Sequence, residues 1–192
     1  MDLLVLLALA FFAGLLVKIV DWLDDERKAP VWTTIPPAVV YGAIIGYLIS
    51  TAPFSVIFLA ALLAQVFARK VDTLAHRIGF IIAAISLIYL GFPSFDMVLL
   101  GAFLLLAFLD EIDFVGKLRP LNDWRPFLKI GSLAPAVVGD WSYFAGIISF
   151  DVGYLLVAKI IEEPRKKQKG GSAPKLEKAP KTRYRKRGAG TP

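Results

Sequence analysis

The sequence predicts an all-α polytopic membrane protein: a transmembrane helical bundle of six or seven membrane segments, N-out and C-in, one of them re-entrant or unusually short. Three observations predict it. Of 192 residues, 57% are hydrophobic and only 20% charged, with a mean hydropathy of +0.64, too apolar for one water-soluble domain of this size. The apolar residues fall in runs separated by short connections. The charge is segregated: residues 1–161 hold eleven basic and thirteen acidic residues, net −2, whereas residues 162–192 hold eleven basic and three acidic, net +8.

The first element is the run Leu3 to Val20, which follows Met1-Asp2 without the positive region of a secretory signal and is long enough to span. Further apolar segments run over 37–50, 53–68, 78–92, 93–109 and 141–161. Four of these are only 14 to 17 residues long, at or below spanning length, so tilt or a thin bilayer must help. Breaks at Ser50-Thr51-Ala52-Pro53 and Gly91-Phe92-Pro93-Ser94 fold two pairs of segments into hairpins, because proline cannot continue the preceding helix. The stretch from Pro126 to Gly139 is too short and too broken by Pro and Gly for an ordinary span. It reads as a re-entrant or short sixth crossing, or as an interfacial helix. Gly42-x-x-x-Gly46 and the series Ala60, Ala64, Ala68 put smooth stripes on the second and third helices, suited to close packing within the bundle. Trp22, Trp32, Trp124 and Trp141 fall near helix ends, as interfacial anchors should.

Orientation follows from Lys and Arg. The connections at 18–28, 69–77 and 117–129 carry Lys18, Arg27, Lys28, Arg69, Lys70, Arg77, Lys117, Arg119, Arg125 and Lys129, and the two hairpin turns carry none. The positive-inside rule therefore makes the basic connections cytoplasmic, in a multi-pass protein of the cell membrane with a cytoplasmic C-terminus. Residues 1–161 form the transmembrane domain. Residues 162–192, with Arg165-Lys166-Lys167 and Arg183-Tyr-Arg-Lys-Arg187, read as a disordered basic tail that sits on anionic lipid headgroups, each basic residue contributing on the order of 1 kcal/mol.

Absent residues exclude chemistry. There is no cysteine, so no disulfide, thiol nucleophile or Cys-ligated metal is available, and one histidine, His76, rules out sites built on two or three histidines. The near absence of Asn, Gln and Met is the composition of a thermophilic prokaryote.

Three helices expected to run inward finish in aspartate, at Asp21, Asp72 and Asp110. Carboxylates there oppose the helix dipole and call for nearby cations or a divalent metal. Asp21 with Asp25 (i, i+4) and Asp110 with Asp113 (i, i+3) share helical faces, and Arg119 and Arg125 follow at once to clamp a phosphate. The leading expectation is an enzyme transferring or hydrolysing a lipid-linked phosphate at the cytoplasmic face with Mg²⁺ held by Asp21, Asp25, Asp72, Asp110 and Asp113, and with His76 or Arg125 as catalytic candidates. Asp151, halfway along the last helix, is a further catalytic candidate. Together with Gln65 it supports the competing reading of a small transporter or channel, because an ionisable group at that depth faces the bundle interior. A third reading is a non-catalytic membrane scaffold in which every acid is an ion-pair partner.

Overall fold

A computed structural model describes residues 2–94 and 96–170; the side chains of Asp25, Glu26, Lys117, Pro120, Asp123 and residues 162–170 lie outside that description. The described chain is all helical, without strands. Helix α1 spans Leu3–Asp21 and continues as a π turn over Trp22–Glu26. It is followed by α2 (Val31–Ile49), α3 (Ser55–Phe67), α4 (Leu74–Leu90) and α5 (Met97–Asp110). After a 3₁₀ turn come three short helices, α6 (Pro120–Trp124), α7 (Pro126–Gly131) and α8 (Leu133–Val137), and then the long α9 (Ser142–Gly170). Three helical stretches are long and apolar enough to cross a membrane: Leu3–Asp24, Val31–Ile49 and Ser142–Ile161.

Local chemistry explains the boundaries. The Asp2 side chain accepts from Leu4 N, Thr73 from His76 N, and Asp96 from Val98 N and Leu99 N, so α1, α4 and α5 each start on a side-chain cap. Two helices therefore begin elsewhere than their apolar runs suggest, α4 four residues earlier than residue 78 and α5 four residues later than residue 93. Helix α2 begins at Val31 and carries Pro36 and Pro37 inside, so its start is also earlier than expected. Helix α9 runs to Gly170, nine residues past the expected end of the membrane domain, because Glu, Arg, Lys and Gln are good helix formers in water. The remainder of the expected tail, residues 171–192, lies outside the described residues.

The helices pair in parallel through glycines. In α2, a Cβ on Gly46 would stand 2.7 Å from the Ala83 carbonyl oxygen of α4, and Gly42 faces the backbone of Gly79, so contacts advance the same way along both helices. The Gly42-x-x-x-Gly46 stripe is thus an intramolecular seam. Helices α1 and α9 pair likewise: Ser149 Oγ donates to the Leu7 carbonyl at 2.7 Å, Gly153 lies against the Phe11 carbonyl and Gly14 against that of Phe150. Between these seams lies a core of Leu6, Val20, Leu48, Ile57, Phe54 and Phe103, all buried. Exposed Leu4, Ile88, Tyr89, Val98 and Leu155 face outward, the arrangement of a bundle whose solvent is lipid.

Candidate functional site

The α1/α9 and α2/α4 seams converge on Asp21. Its Oδ1 is 3.0 Å from His76 Nε2 of α4, and its Oδ2 accepts from the Tyr154 hydroxyl of α9 at 2.9 Å. The other ring nitrogen, His76 Nδ1, is 3.1 Å from the Tyr41 hydroxyl of α2. Lys18 donates to the Tyr154 oxygen at 3.5 Å and lies 5.0 Å from that ring's centroid. A hydrogen-bonded chain therefore runs Tyr41, His76, Asp21, Tyr154, Lys18 across four helices. With Nε2–H donating to Asp21, Nδ1 of a neutral imidazole is left to accept from the Tyr41 hydroxyl.

Small residues make this convergence possible. Gly153 allows α9 to approach α1 closely enough for its neighbour Tyr154 to reach Asp21, and Gly79 leaves the space in which the Tyr41 ring lies. Thr73 fixes the start of α4 by accepting from His76 N, which seats the imidazole one turn from the connection to α3.

The chain of polar groups opens on a cavity of about 280 Å³ lined by Asp21, Tyr41, His76, Tyr154, Lys70 and Asp72, among others. A second, mainly apolar cavity of about 90 Å³ is lined by Phe58, Ala61, Ala107, Leu128 and Ile147, with Asp110, Lys129 and Asp151 at its margin. Ile45, Leu62, Gln65, Glu111, Arg125 and Phe150 line both. The two cavities are therefore adjacent, sharing a wall of these six residues, and the larger is the more polar.

The predicted acids are distributed rather than gathered. Asp110 reaches across to α7, accepting from Phe127 N at 2.9 Å and Leu128 N at 2.8 Å, and so caps that helix from outside its own sequence. Asp113 lies past the end of α5, where the expected helical i, i+3 relation no longer holds, and pairs with Lys70 at 3.4 Å. The i, i+4 relation expected of Asp21 and Asp25 is altered by the π turn, and the Asp25 side chain lies outside the described residues. Asp72 is exposed at the cavity wall. Among the described residues no group of three or more His, Asp or Glu is arranged to hold a metal ion, so no step is derived through Mg²⁺. Asp151 pairs with Lys129 at 2.6 Å. Arg125 faces the space with its guanidinium 3.3 Å from Glu111, while Arg119 is exposed away from the cavity-lining set.

Of the residues singled out from the sequence, Asp21, Gln65, Asp72, His76, Asp110, Arg125 and Asp151 line the two cavities; Tyr41, Tyr154, Glu111 and Lys129, which also line them, were not proposed as site residues. A signal existed for the tyrosines. Each stands beside a glycine of a packing seam, Tyr41 before Gly42 and Tyr154 after Gly153, where a polar tip on a close-packed face must find an interior partner. Comparison of the chain with protein-family models, curated proteins and solved structures yields no match.

Proposed function

We propose that this protein is a membrane-embedded enzyme that acts on an amphipathic, lipid-linked phosphate at the cytoplasmic face. The observation that carries the reading is His76, held between Asp21 and Tyr41 on the wall of a polar cavity that shares lining residues with a more apolar one. A base oriented by a carboxylate is the arrangement general acid–base catalysis requires. A water or alcohol in the cavity gives its proton to the Tyr41 oxygen as the Tyr41 proton passes to Nδ1, its oxygen bonds to phosphorus while the P–O bond to the leaving group breaks, and the imidazolium, stabilised by Asp21, returns the proton through Tyr41 to the leaving oxygen. Arg125 and Lys70 supply positive charge for the headgroup, and the apolar cavity takes the first part of the chain. In this reading the protein sits N-out and C-in with seven segments. The parallel packing of α1 and α9 supports it, because Pro126–Val137 must then return the chain across the membrane before α9 begins. The basic tail rests on anionic headgroups.

Two measurements test the proposal. Purified protein in nanodiscs, incubated with prenyl and diacyl phosphates and diphosphates, should release or transfer phosphate, with His76→Gln and Asp21→Asn slower by about 10² or more. Absence of turnover across the panel, or turnover indifferent to both substitutions, defeats the reading. For topology, single cysteines at Ser94 and Asp72, both exposed, have no native cysteine as background. An impermeant thiol reagent on whole cells should label position 94 and spare position 72; the reverse pattern overturns the orientation.

A further inference from the structure

Arg125 stands where the two cavities meet, and its backbone is in the left-handed region (φ 43°, ψ 63°) between α6 and α7. The following Pro126 explains why the helix breaks, since it disfavours the right-handed conformation at position 125. It does not explain why arginine rather than glycine occupies the break. A non-glycine residue there is strained by about 1–2 kcal/mol, as it is at Lys28 and Arg69, so it is the partner of Arg125 rather than its backbone that marks the position. The Arg125 side chain is 45% exposed, but that of its partner Glu111 only 8%. The other cavity cations are engaged differently: Lys70 pairs with the exposed Asp113, and Lys129 with Asp151 and the Trp124 carbonyl. A buried carboxylate that lines both cavities thus pairs with Arg125, which lines both as well, and its two anionic oxygens offer the guanidinium the same acceptors a phosphate would.

We infer that Glu111 is a resident anion occupying Arg125 in place of the anionic oxygens of a phosphate-headed amphiphile. Such a ligand binds by taking the guanidinium from Glu111 and placing the first part of its chain in the smaller cavity. This rests on the proposed lipid-phosphate reading and adds a sign to it. If Glu111 competes with the ligand, removing its charge strengthens binding; if it merely positions Arg125, removing it weakens binding.

The test uses the full chain in phosphatidylcholine nanodiscs with three probes: decyl phosphate, inorganic phosphate, and decyl maltoside as a neutral molecule of the same chain length. Binding is read by calorimetry and by the rise in melting temperature with probe concentration. Decyl phosphate should bind at least tenfold more tightly than either other probe, Glu111→Gln should tighten it at least tenfold, and Arg125→Gln should weaken it at least tenfold. Equal affinity for inorganic phosphate would overturn the amphiphile and leave a headgroup-only site. Unchanged or weaker binding in Glu111→Gln would overturn the competition. In the unmodified chain, decyl phosphate should protect Arg125 from phenylglyoxal, read by peptide mass spectrometry, so the inference stands or falls even where Glu111→Gln does not fold. Asp21→Asn and His76→Gln separate this from the parent reading. Decyl phosphate binding retained in both, with turnover absent, would defeat the enzyme and keep the anion site. Binding lost in both, but indifferent to Arg125 and Glu111, would defeat the anion site alone.

Discussion

Replacing Gly79 by alanine should loosen His76 without touching it. A Cβ at Gly79 would stand 2.5 Å from Tyr41 Cε2 and nearer still to the ring carbon and hydroxyl beyond it. An uncrowded contact needs about 3.4 Å, so the ring must move by about 0.9 Å or more. The Tyr41 to His76 hydrogen bond, at 3.1 Å, tolerates about 0.4 Å before it passes 3.5 Å. The bond breaks first. Energetically, alanine gains about 1 kcal/mol over glycine in a helix, overpacking costs about 1–3 kcal/mol, and the lost bond about 1 kcal/mol, for a net loss of about 1–3 kcal/mol. Gly101→Ala is the control, because nothing lies within 4 Å of a Cβ there and only the helical gain remains. Equilibrium unfolding of both variants gives the difference. As His76 is the only histidine, ¹⁵N-histidine labelling reports that ring alone. Wild type should show the Nε2–H tautomer with a hydrogen-bonded Nδ1, and Gly79→Ala should shift Nδ1 toward the value in Tyr41→Phe. Equal stabilisation by both alanines, with an unchanged Nδ1 signal, would refute the geometry on which the proposed relay stands.

Two other predictions concern the bundle. Asp110→Ala, which removes both caps on α7, should cost about 2 kcal/mol, against less than about 1 kcal/mol for Asp113→Ala at its exposed pair. A Mg²⁺-dependent rise in melting temperature that disappears in Asp110→Ala would instead restore the metal reading. Asp151→Leu and Lys129→Met should each destabilise by about 2–4 kcal/mol while the double variant recovers most of the loss, because each single change leaves one charge unpaired. Leu155→Ala on the exposed face of α9 should cost less than either, and additive losses in the double variant would show that the Lys129–Asp151 pair is not coupled.

Much of the fold was legible because bilayer-facing helices are written in composition. The apolar runs marked the long helices, the Pro and Gly breaks at 50–53 and 91–94 marked the turns, and Gly42 and Gly46 marked a seam. The helix starts were misplaced where hydrophobicity was read before capping. Thr73 and Asp96 carry the cap signal in their side chains, yet Thr73 sits outside the apolar run it starts and Asp96 inside one. The acid pattern misled for a different reason. Helical spacing holds only within a regular helix: α5 ends at Asp110, so Asp113 does not share its face, and α1 passes into a π turn after Asp21, where the i, i+4 spacing no longer applies. The cap given by Asp110 to a helix 17 residues away has no local signature at all.

The convergence of the polar groups has a simple geometric origin. Consecutive helices in a bundle alternate in direction, so like ends meet only between helices that are not neighbours in sequence. The parallel seams α2/α4 and α1/α9 are such pairs. Each seam holds two helices side by side, and the site forms where one seam meets the other: the last turn of α1, with Asp21, faces the first turn of α4, with His76, while Tyr41 and Tyr154 reach them from within α2 and α9. The glycines that permit this approach are therefore not separable from the site. A larger residue in either seam moves a hydroxyl off the Asp21–His76 pair, whereas the same change at Gly101 touches neither. The polar cavity is thus built where Asp21 and His76 at helix ends meet Tyr41 and Tyr154 from within α2 and α9, so its wall depends on both seams at once.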